Sequence, residues 1–326
     1  MAFSSFEDEY RALTEGIAWR KEKERGKVAV LGVDRITFLH SMISHDVSSL
    51  DEYQGRYGTF LTATGKIVAD FYYYRLPEQV LIDLSTAASS FIEALEKFII
   101  MDEVELQDIS ASWRHFSIHG QRSREFLADL FNTFPPEQSD QVVPCSWQAE
   151  ELFWIRRDEL STPGYVVLLS PEGGDKFASA LTESTAIEVG DEAFNVVRLE
   201  RGLPLFGRDF TEKNNPLEAR LDYAVSLSKG CYIGQEVIAR ATHIGGVPRL
   251  LSKLNVDGDR VPGSGSRVMT DDGKEAGKVT SAAYSPRLGR VIAFAYIKRA
   301  LSQTGNRLQV DLDGRLVSAE IVDRFL

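Results

Sequence analysis

The sequence predicts an α+β fold followed by a small antiparallel β-barrel. Over about the first 130 residues, runs with strand-like alternation are interleaved with segments of helical apolar spacing, which is typical of helices packed on antiparallel sheets. From Gly245 onwards the composition changes to short strands separated by Asp-Gly turns. Six or so strands fit into about 78 residues there, and this spacing favours a small barrel.

The length and charge of the chain limit its organisation and its partners. At 326 residues it exceeds one ordinary hydrophobic core, so we predict a core domain over residues 1–245 and a barrel domain over residues 246–326. We expect the core to hold two subdomains, with boundaries near residue 50 and between residues 110 and 145. The net charge of −11 argues against a direct nucleic-acid partner, because phosphate contacts need a basic surface.

The chain shows no sign of a targeting segment, a membrane span or a metal site. Its N-terminal residues are acidic and lack the apolar core of a signal peptide, and no run of about 18 apolar residues follows. Cys145 and Cys231 are too few for a disulfide framework, and neither has neighbours at metal-ligand spacing. We therefore expect a cytoplasmic protein without a membrane partner and without a metal.

Helices are predicted where apolar residues recur every three to four positions. The predicted helices cover residues 6–19, 36–43, 89–101, 126–131, 175–181 and 191–201. Asp34 is placed to cap the second of these helices. Asn215, Pro216 and Glu218 have the order of an N-cap, a first helical residue and a capping box, which predicts a further helix from residue 215.

Strands are predicted where β-branched and aromatic residues alternate or cluster between turn signals. They cover residues 27–33, 58–62, 67–76, 80–84, 102–106, 113–118, 152–155 and 165–169. Residues 21–27 are predicted to form a charged linker.

The segment Lys229-Gly-Cys-Tyr-Ile-Gly-Gln-Glu236 is the most informative stretch of the chain. Its two glycines allow a tight backbone path around Cys231, and a lysine two positions earlier favours the thiolate over the thiol. The chain reads as helical from Gly234, so a helix N-terminus would add positive charge nearby. A small buried cysteine is the alternative interpretation, and the flanking residues leave the two about equally supported.

This segment resembles the signature of the YgfZ proteins, which are folate-binding relatives of the glycine cleavage T-protein implicated in maintaining iron–sulfur enzymes. Further similar stretches are residues 102–106, 198–204 and 216–219, so the resemblance extends over most of the chain. It implies a T-protein-like core of α+β subdomains around a central cavity that binds tetrahydrofolate or a one-carbon derivative. It also implies iron–sulfur client or assembly proteins as partners, and a connection with tRNA modification.

The resemblance assigns roles to individual residues. Cys231 would be the working thiolate, and Lys229 would keep it ionised or meet the anionic glutamyl tail of the folate. Glu200 lies in a segment similar to the one whose glutamate holds the pterin, and a carboxylate can accept the adjacent N–H and amino groups of a pterin edge. Gln235, Glu236 and Arg240 would lie beside the site, although Glu236 and Arg240 can also simply pair at i,i+4.

Two other functions remain open at this stage. The first is a tetrahydrofolate-dependent aminomethyltransferase, the glycine cleavage T-protein itself. That enzyme uses an aspartate near the start of the helix after the hairpin, whereas residues 85–91 contain no carboxylate, and it lacks the signature cysteine. The second is a non-catalytic scaffold that senses folate. The sequence does not separate this scaffold from the first interpretation, so folate-dependent transferase-like catalysis is left open.

Overall fold

The computed structural model describes residues 4–23, 25–160 and 163–324. The chain divides into two compact units. The first comprises Met1–Ala63, Val68–Ala193 and Tyr223–Gln235, and the second comprises Thr64–Ile67, Phe194–Asp222 and Glu236–Leu326. The second unit therefore includes three stretches of the predicted core, residues 64–67, 194–222 and 236–245, in addition to the predicted barrel domain. The two-domain division at residues 245 and 246 stays a prediction.

The N-terminal part of the chain forms two sheets with helices packed on them, and their strands are antiparallel except where β11 pairs in parallel with β1. Its elements are, in chain order, α1 (Phe6–Thr14), β1 (Ala18–Glu22), β2 (Lys27–Leu31), α2 (Arg35–Met42), β3 (Gln54–Leu61), β4 (Ile67–Arg75), β5 (Val80–Leu84), α3 (Ala88–Glu96), β6 (Glu105–Asp108), β7 (Arg114–His119), α4 (Ser123–Phe131), β8 (Val142–Trp147), β9 (Glu150–Arg156), β10 (Gly164–Leu169), α5 (Pro171–Glu183) and β11 (Ile187–Glu188).

The first sheet has the strand order β3-β4-β5-β2-β6. Its buried face packs against α2 and α3 through side chains such as Phe38, Phe71 and Phe91. Aromatic side chains bury a large apolar area each, so they stabilise this layer strongly. Ile233, in the segment that resembles the family signature, also packs against this core.

The second sheet has the order β11-β1-β7-β10-β9-β8 and packs against α4 and α5. Trp154, Phe116 and Phe177 are completely buried at its centre. The helix predicted over residues 6–19 is too long: α1 ends at Thr14, and Ala18 and Trp19 belong to the strand β1. Its pairing with β7 through the register Trp19–Ile118 explains the difference, because long-range strand pairing overrides a weak helical pattern.

The C-terminal part forms α6 (Asp191–Arg201), α7 (Gln235–Arg240) and a π-helical turn over Ala241–Gly245. Six strands then close into a barrel in the order β12-β15-β14-β13-β16-β17, all within the described part of the chain. They are β12 (Arg249–Val256), β13 (Arg267–Met269), β14 (Glu275–Ser285), β15 (Arg290–Lys298), β16 (Arg307–Leu312) and β17 (Arg315–Val322). The predicted α+β core and small antiparallel barrel are both confirmed.

Two predicted helix starts differ from the structure. Asp34 does not cap α2, because its carboxylate accepts a hydrogen bond from the Glu103 amide at 2.9 Å instead. Asn215 does cap the next turn, accepting from the Leu217 amide at 2.8 Å, and Glu218 closes the box on the Asn215 amide at 3.3 Å. The chain nevertheless leaves the helical path there, and no α-helix forms over residues 215–221.

Candidate functional site

The ammonium group of Lys229 binds the end of α2. It donates to the backbone carbonyls of His40, Ile43 and His45, at 2.6 Å for Ile43 and 3.3 Å for His45. An ammonium has three hydrogens, so this set can use all of its donors. A cation is also well placed here, because the last carbonyls of a helix have no partners within the helix. The lysine therefore fastens the signature segment to the first sheet.

This geometry argues against the predicted contact of Lys229 with a ligand or with the thiol of Cys231. Burial lowers the pKa of Lys229 to about 8, and Asp46 partly opposes that effect. Its side chain also lies over the ring of Tyr232, with the nitrogen 4.9 Å from the ring centroid. The carbonyls and the aromatic face are the partners that the structure gives to this charge.

Cys231 is exposed, whereas the residues after it are anchored. Tyr232 is buried, and Ile233 packs against the core of the first sheet. Gly234 has φ +84°, a conformation that favours glycine and turns the chain into α7. The alternative of a small buried cysteine is therefore wrong for Cys231, and the segment presents the thiol on a firmly held loop.

The helix N-terminus that was predicted to favour the thiolate of Cys231 has only a weak effect. The helix α7 begins at Gln235, four positions after Cys231, and runs for 6 residues. So short a helix aligns few peptide dipoles, and their effect falls off within the first turn. Gln235 is half-buried, while Glu236 and Arg240 are exposed on α7. Their predicted ligand contacts stay predictions.

Glu200 is buried in the last turn of α6. Its Oε1 atom accepts a hydrogen bond from the Ser285 hydroxyl of β14 at 2.5 Å. That bond fixes the orientation of the carboxylate. Its predicted contact with a pterin, and its predicted proximity to Cys231, stay predictions.

The sequence analysis missed a buried carboxylate beside the loop that follows β5. Asp70 Oδ2 accepts from the Tyr57 hydroxyl at 2.7 Å and from the Ser85 hydroxyl at 2.8 Å. Its Oδ1 atom is buried without a partner, and burial raises the pKa of the Asp70 carboxyl.

Three further observations bear on cofactors and location. A cavity of about 740 Å³ in the first unit is lined by residues of the segments 21–27, 85–89 and 108–115. The described residues contain no group of three or more His, Cys, Asp or Glu side chains that could hold a metal ion. Among the same residues, no helix has both the length and the apolar character needed to cross a membrane.

Two family models match this chain in succession. The model described as the GCVT N-terminal domain matches residues 2–229, and that of the glycine cleavage T-protein C-terminal barrel domain matches residues 249–326. The signature cysteine lies in the segment between the two matches. These findings support the T-protein relationship but do not single out the YgfZ proteins.

Individual relatives cover nearly the whole chain. A chloroplastic protein of Arabidopsis thaliana, whose name gives it only provisionally as a transferase, is 29% identical over 98% of this chain and 74% of its own length. An aminomethyltransferase of a Nostoc species is 28% identical over 99% of this chain and 88% of its own.

A solved structure shows the same fold. The crystal structure of the glycine cleavage system aminomethyltransferase T from Bartonella henselae has a TM-score of 0.90, with 21% identity over 99% of this chain and 90% of that one. At this identity the match establishes the fold alone, but the first family model matches well over half of the chain. The chain therefore belongs to the GCVT family, and it carries both the N-terminal and the C-terminal barrel domains of the glycine cleavage T-protein.

Proposed function

We propose that this protein binds a tetrahydrofolate and acts in folate-dependent group transfer. The observation that carries the proposal is the match of both T-protein domains, in order, to residues 2–229 and 249–326. The fold is a scaffold that can host several chemistries, so the activity has to be argued from the side chains.

The available polar side chains fit one part of a folate and not another. Glu200 offers a buried, oriented carboxylate for the N–H and amino groups of a pterin edge. A bound tetrahydrofolate would supply the nitrogen that carries a one-carbon unit. Lys229 does not fit the glutamyl tail, because three backbone carbonyls occupy its ammonium group.

Aminomethyl transfer is the first candidate activity, because the Nostoc relative described above carries that name. In the resembling T-protein, an aspartate near the start of the helix after the hairpin serves the reaction. The corresponding helix here, α3, has no acidic residue in its first turn. Asp70 is a carboxylate beside this loop, held through Ser85 at 2.8 Å, and it is our candidate for the missing group.

A YgfZ-like role in the assembly or repair of iron–sulfur enzymes is the second candidate. It is favoured by the exposure of Cys231 on an anchored loop and by the lack of a carboxylate in the first turn of α3. In this case the thiol would act directly on a client protein. A folate-sensing scaffold would use the same residues without catalysis. A cytoplasmic location belongs with this proposal, although one relative is chloroplastic.

Folate binding is tested first, by thermal unfolding in the presence of 5-formyltetrahydrofolate. Wild type should unfold at a higher temperature with this ligand, because binding to the folded state alone stabilises it. Glu200→Gln keeps the volume but loses the second acceptor, so it should remove the increase. Glu192→Gln, at an exposed position on the same helix, is the control. An unchanged unfolding temperature in wild type would refute the proposal.

The two activities are then separated with one assay and two variants. Tetrahydrofolate-dependent release of the one-carbon unit from an aminomethyl-lipoyl carrier should occur if the first candidate is correct. Asp70→Asn should then abolish release, whereas Cys231→Ala should not. Absence of release, together with failure of Cys231→Ala to restore iron–sulfur enzyme activity in a deletion strain, would favour the second candidate.

A further inference from the structure

The loops at one end of the first sheet expose large apolar side chains. Val33 follows β2, and Ile100 and Met101 come before β6; their exposed fractions are 75%, 84% and 91%. The two loops lie side by side, because the Asp34 amide donates to the Glu103 carbonyl at 3.4 Å and the Glu103 amide donates to the Asp34 carboxylate at 2.9 Å. Exposed apolar side chains that cluster mark interaction sites, whereas isolated ones need no explanation. We call these three apolar residues the apolar end of the sheet.

The strand beside the apolar end, β6, lies at the edge of the first sheet. Within the described ranges it pairs with β2 and with no other strand. The Ile109 amide donates to the Lys27 carbonyl at 2.9 Å. Because bonded positions alternate in an antiparallel ladder, the backbone groups of Leu106 and Asp108 point away from β2. They lie where an additional strand would pair with them.

The other sheet edges of the first unit are protected by their backbones. The strand β3 forms bridges with Ile43 and Gln141, β8 contains Pro144, whose nitrogen carries no hydrogen, and β11 has only 2 residues. The strand β6 has 4 residues and no proline, and the described part of the chain forms no isolated bridge to its outer side. Its protection therefore falls to charged side chains.

Those charges are almost all negative. Residues 93–108 contain six carboxylates and one lysine, a net charge of −5, and all seven side chains are exposed. The carboxylates are Glu93, Glu96, Asp102, Glu103, Glu105 and Asp108. A second copy of this surface would bring like charges together, and nucleic acid or an anionic membrane would be repelled. A basic partner is the one that this surface attracts.

The two faces of β6 differ in the same way as the two ends of an ion pair and an apolar contact. Side chains alternate between the faces of a strand, and Leu106 packs against the core of the sheet whereas Glu105 is exposed. An added strand with the same alternation would extend the core face with apolar side chains. On the other face it would place cations beside Glu105.

We propose that β6 and the apolar end bind an extended segment of a partner protein in which apolar side chains alternate with lysine or arginine. The segment adds as a further strand through the backbone groups of Leu106 and Asp108. Edge protection alone does not account for the apolar end, because exposed apolar side chains promote association. The inference uses no residue of the folate proposal and is independent of it.

The probe is a short fluorescent peptide in which lysine and valine alternate, and its binding to the whole protein is followed by fluorescence anisotropy. A peptide in which glutamate and valine alternate is the matched probe of opposite charge. Wild type should bind the lysine peptide at least about tenfold more tightly than the glutamate peptide at low salt. Equal affinities would refute the proposal. Failure of both peptides to bind would also refute it and would leave the carboxylates with edge protection alone.

Two variants test the assignment to this surface. Met101→Ser removes an apolar contact and Glu105→Lys reverses a charge, so each should weaken binding of the lysine peptide by about five- to tenfold. Both positions are exposed, so the fold should persist. Leu316→Ser and Glu183→Lys, at exposed positions on other elements, are the matched controls and should bind like wild type. Unchanged affinity in both Met101→Ser and Glu105→Lys would refute the assignment.

Amide hydrogen exchange tests whether the bound segment adds as a strand. The lysine peptide should slow exchange of the Leu106 and Asp108 amides, while β8, at the edge of the second sheet, should exchange as before. Binding without slower exchange over residues 104–108 would refute strand addition. Sedimentation tests the other occupant: a dimer of wild type that Met101→Ser dissociates would assign the surface to a second copy and refute the basic partner.

Discussion

The ammonium nitrogen of Lys229 lies 2.6 Å from the backbone carbonyl oxygen of Ile43, which terminates α2. This contact joins positions 186 residues apart and ties the signature segment to the first sheet. It changes the interpretation of the segment. The lysine serves the backbone around it, and the exposed thiol of Cys231 is presented by the loop that this lysine holds.

Replacing Lys229 with methionine should destabilise the protein. The variant keeps most of the side-chain volume but leaves three carbonyls without their donor, and we expect a loss of about 2–3 kcal/mol in the free energy of unfolding. Urea unfolding measures this loss. Exposed Lys97→Met is the control and should change stability little. A similarly small change for Lys229→Met would contradict a stabilising role for the bonds from Lys229 to the three carbonyls.

Removing the carboxylate of Asp209 should have a larger effect. Asp209 lies 2.7 Å from Arg198 Nη1, both side chains are fully buried, and Ser281 donates to the same carboxylate at 2.6 Å. Asp209→Ala leaves a buried guanidinium without its charge partner, which costs about 3–5 kcal/mol. Chemical unfolding should show this loss, while exposed Asp259→Ala should resemble wild type. A stable Asp209→Ala protein would show that Arg198 finds another partner.

The stability of the protein should depend on Asp140 in a defined pH range. Burial raises the pKa of Asp140 to about 7 from its usual 3.8, and Arg157 only partly opposes this. The folded state therefore binds the proton more tightly than the unfolded state. The resulting stability is complete below about pH 3.8 and is lost as the pH rises through about 7.

Asp140→Asn isolates this contribution. Asparagine tolerates the φ of +59° at this position, so the backbone should not change. The variant should melt roughly 2–4 °C above wild type at pH 8, and the difference should vanish towards pH 4. Melting curves across this range measure it, with exposed Asp129→Asn as the control. A difference that does not vary with pH would show that the carboxyl is not titrating.

The fold was largely predictable because it depends on local patterns. The helix over Asp191–Arg201 has the predicted bounds, and Asp-Gly turns with alternating strands indicated the barrel. The first helix was predicted too long, because β1 pairs with the distant strand β7 and the residues next to β1 give no sign of that pairing. The sequence shows only that Arg198 lies near a helix C-terminus, which suits a cation, and the tertiary structure buries it against Asp209.

Residues of the candidate site could be predicted only where their neighbours in the sequence give them an unusual environment. Glu200 could be singled out because a carboxylate at a helix C-terminus is unfavourable, and Cys231 because of its flanking glycines. Asp70 was missed, because its partners Tyr57 and Ser85 lie on other segments.

The two cysteines should differ sharply in reactivity. Burial raises the pKa of the Cys145 thiol to about 11 from its usual 9, with a smaller contribution from Glu151. The raised pKa lowers the fraction of thiolate at neutral pH, while a thiolate of higher pKa is intrinsically more nucleophilic. Cys145 should therefore react about tenfold more slowly than an ordinary thiol, and its restricted access should slow it further. Cys231 is exposed, so the reagent can reach its thiol directly. Alkylation with iodoacetamide at pH 7.5, followed by peptide mass spectrometry, should therefore modify Cys231 first. Cys231→Ser should remove the fast phase, and Cys145→Ser should leave it intact. Equal rates at both positions would refute the presentation of Cys231 by the anchored loop.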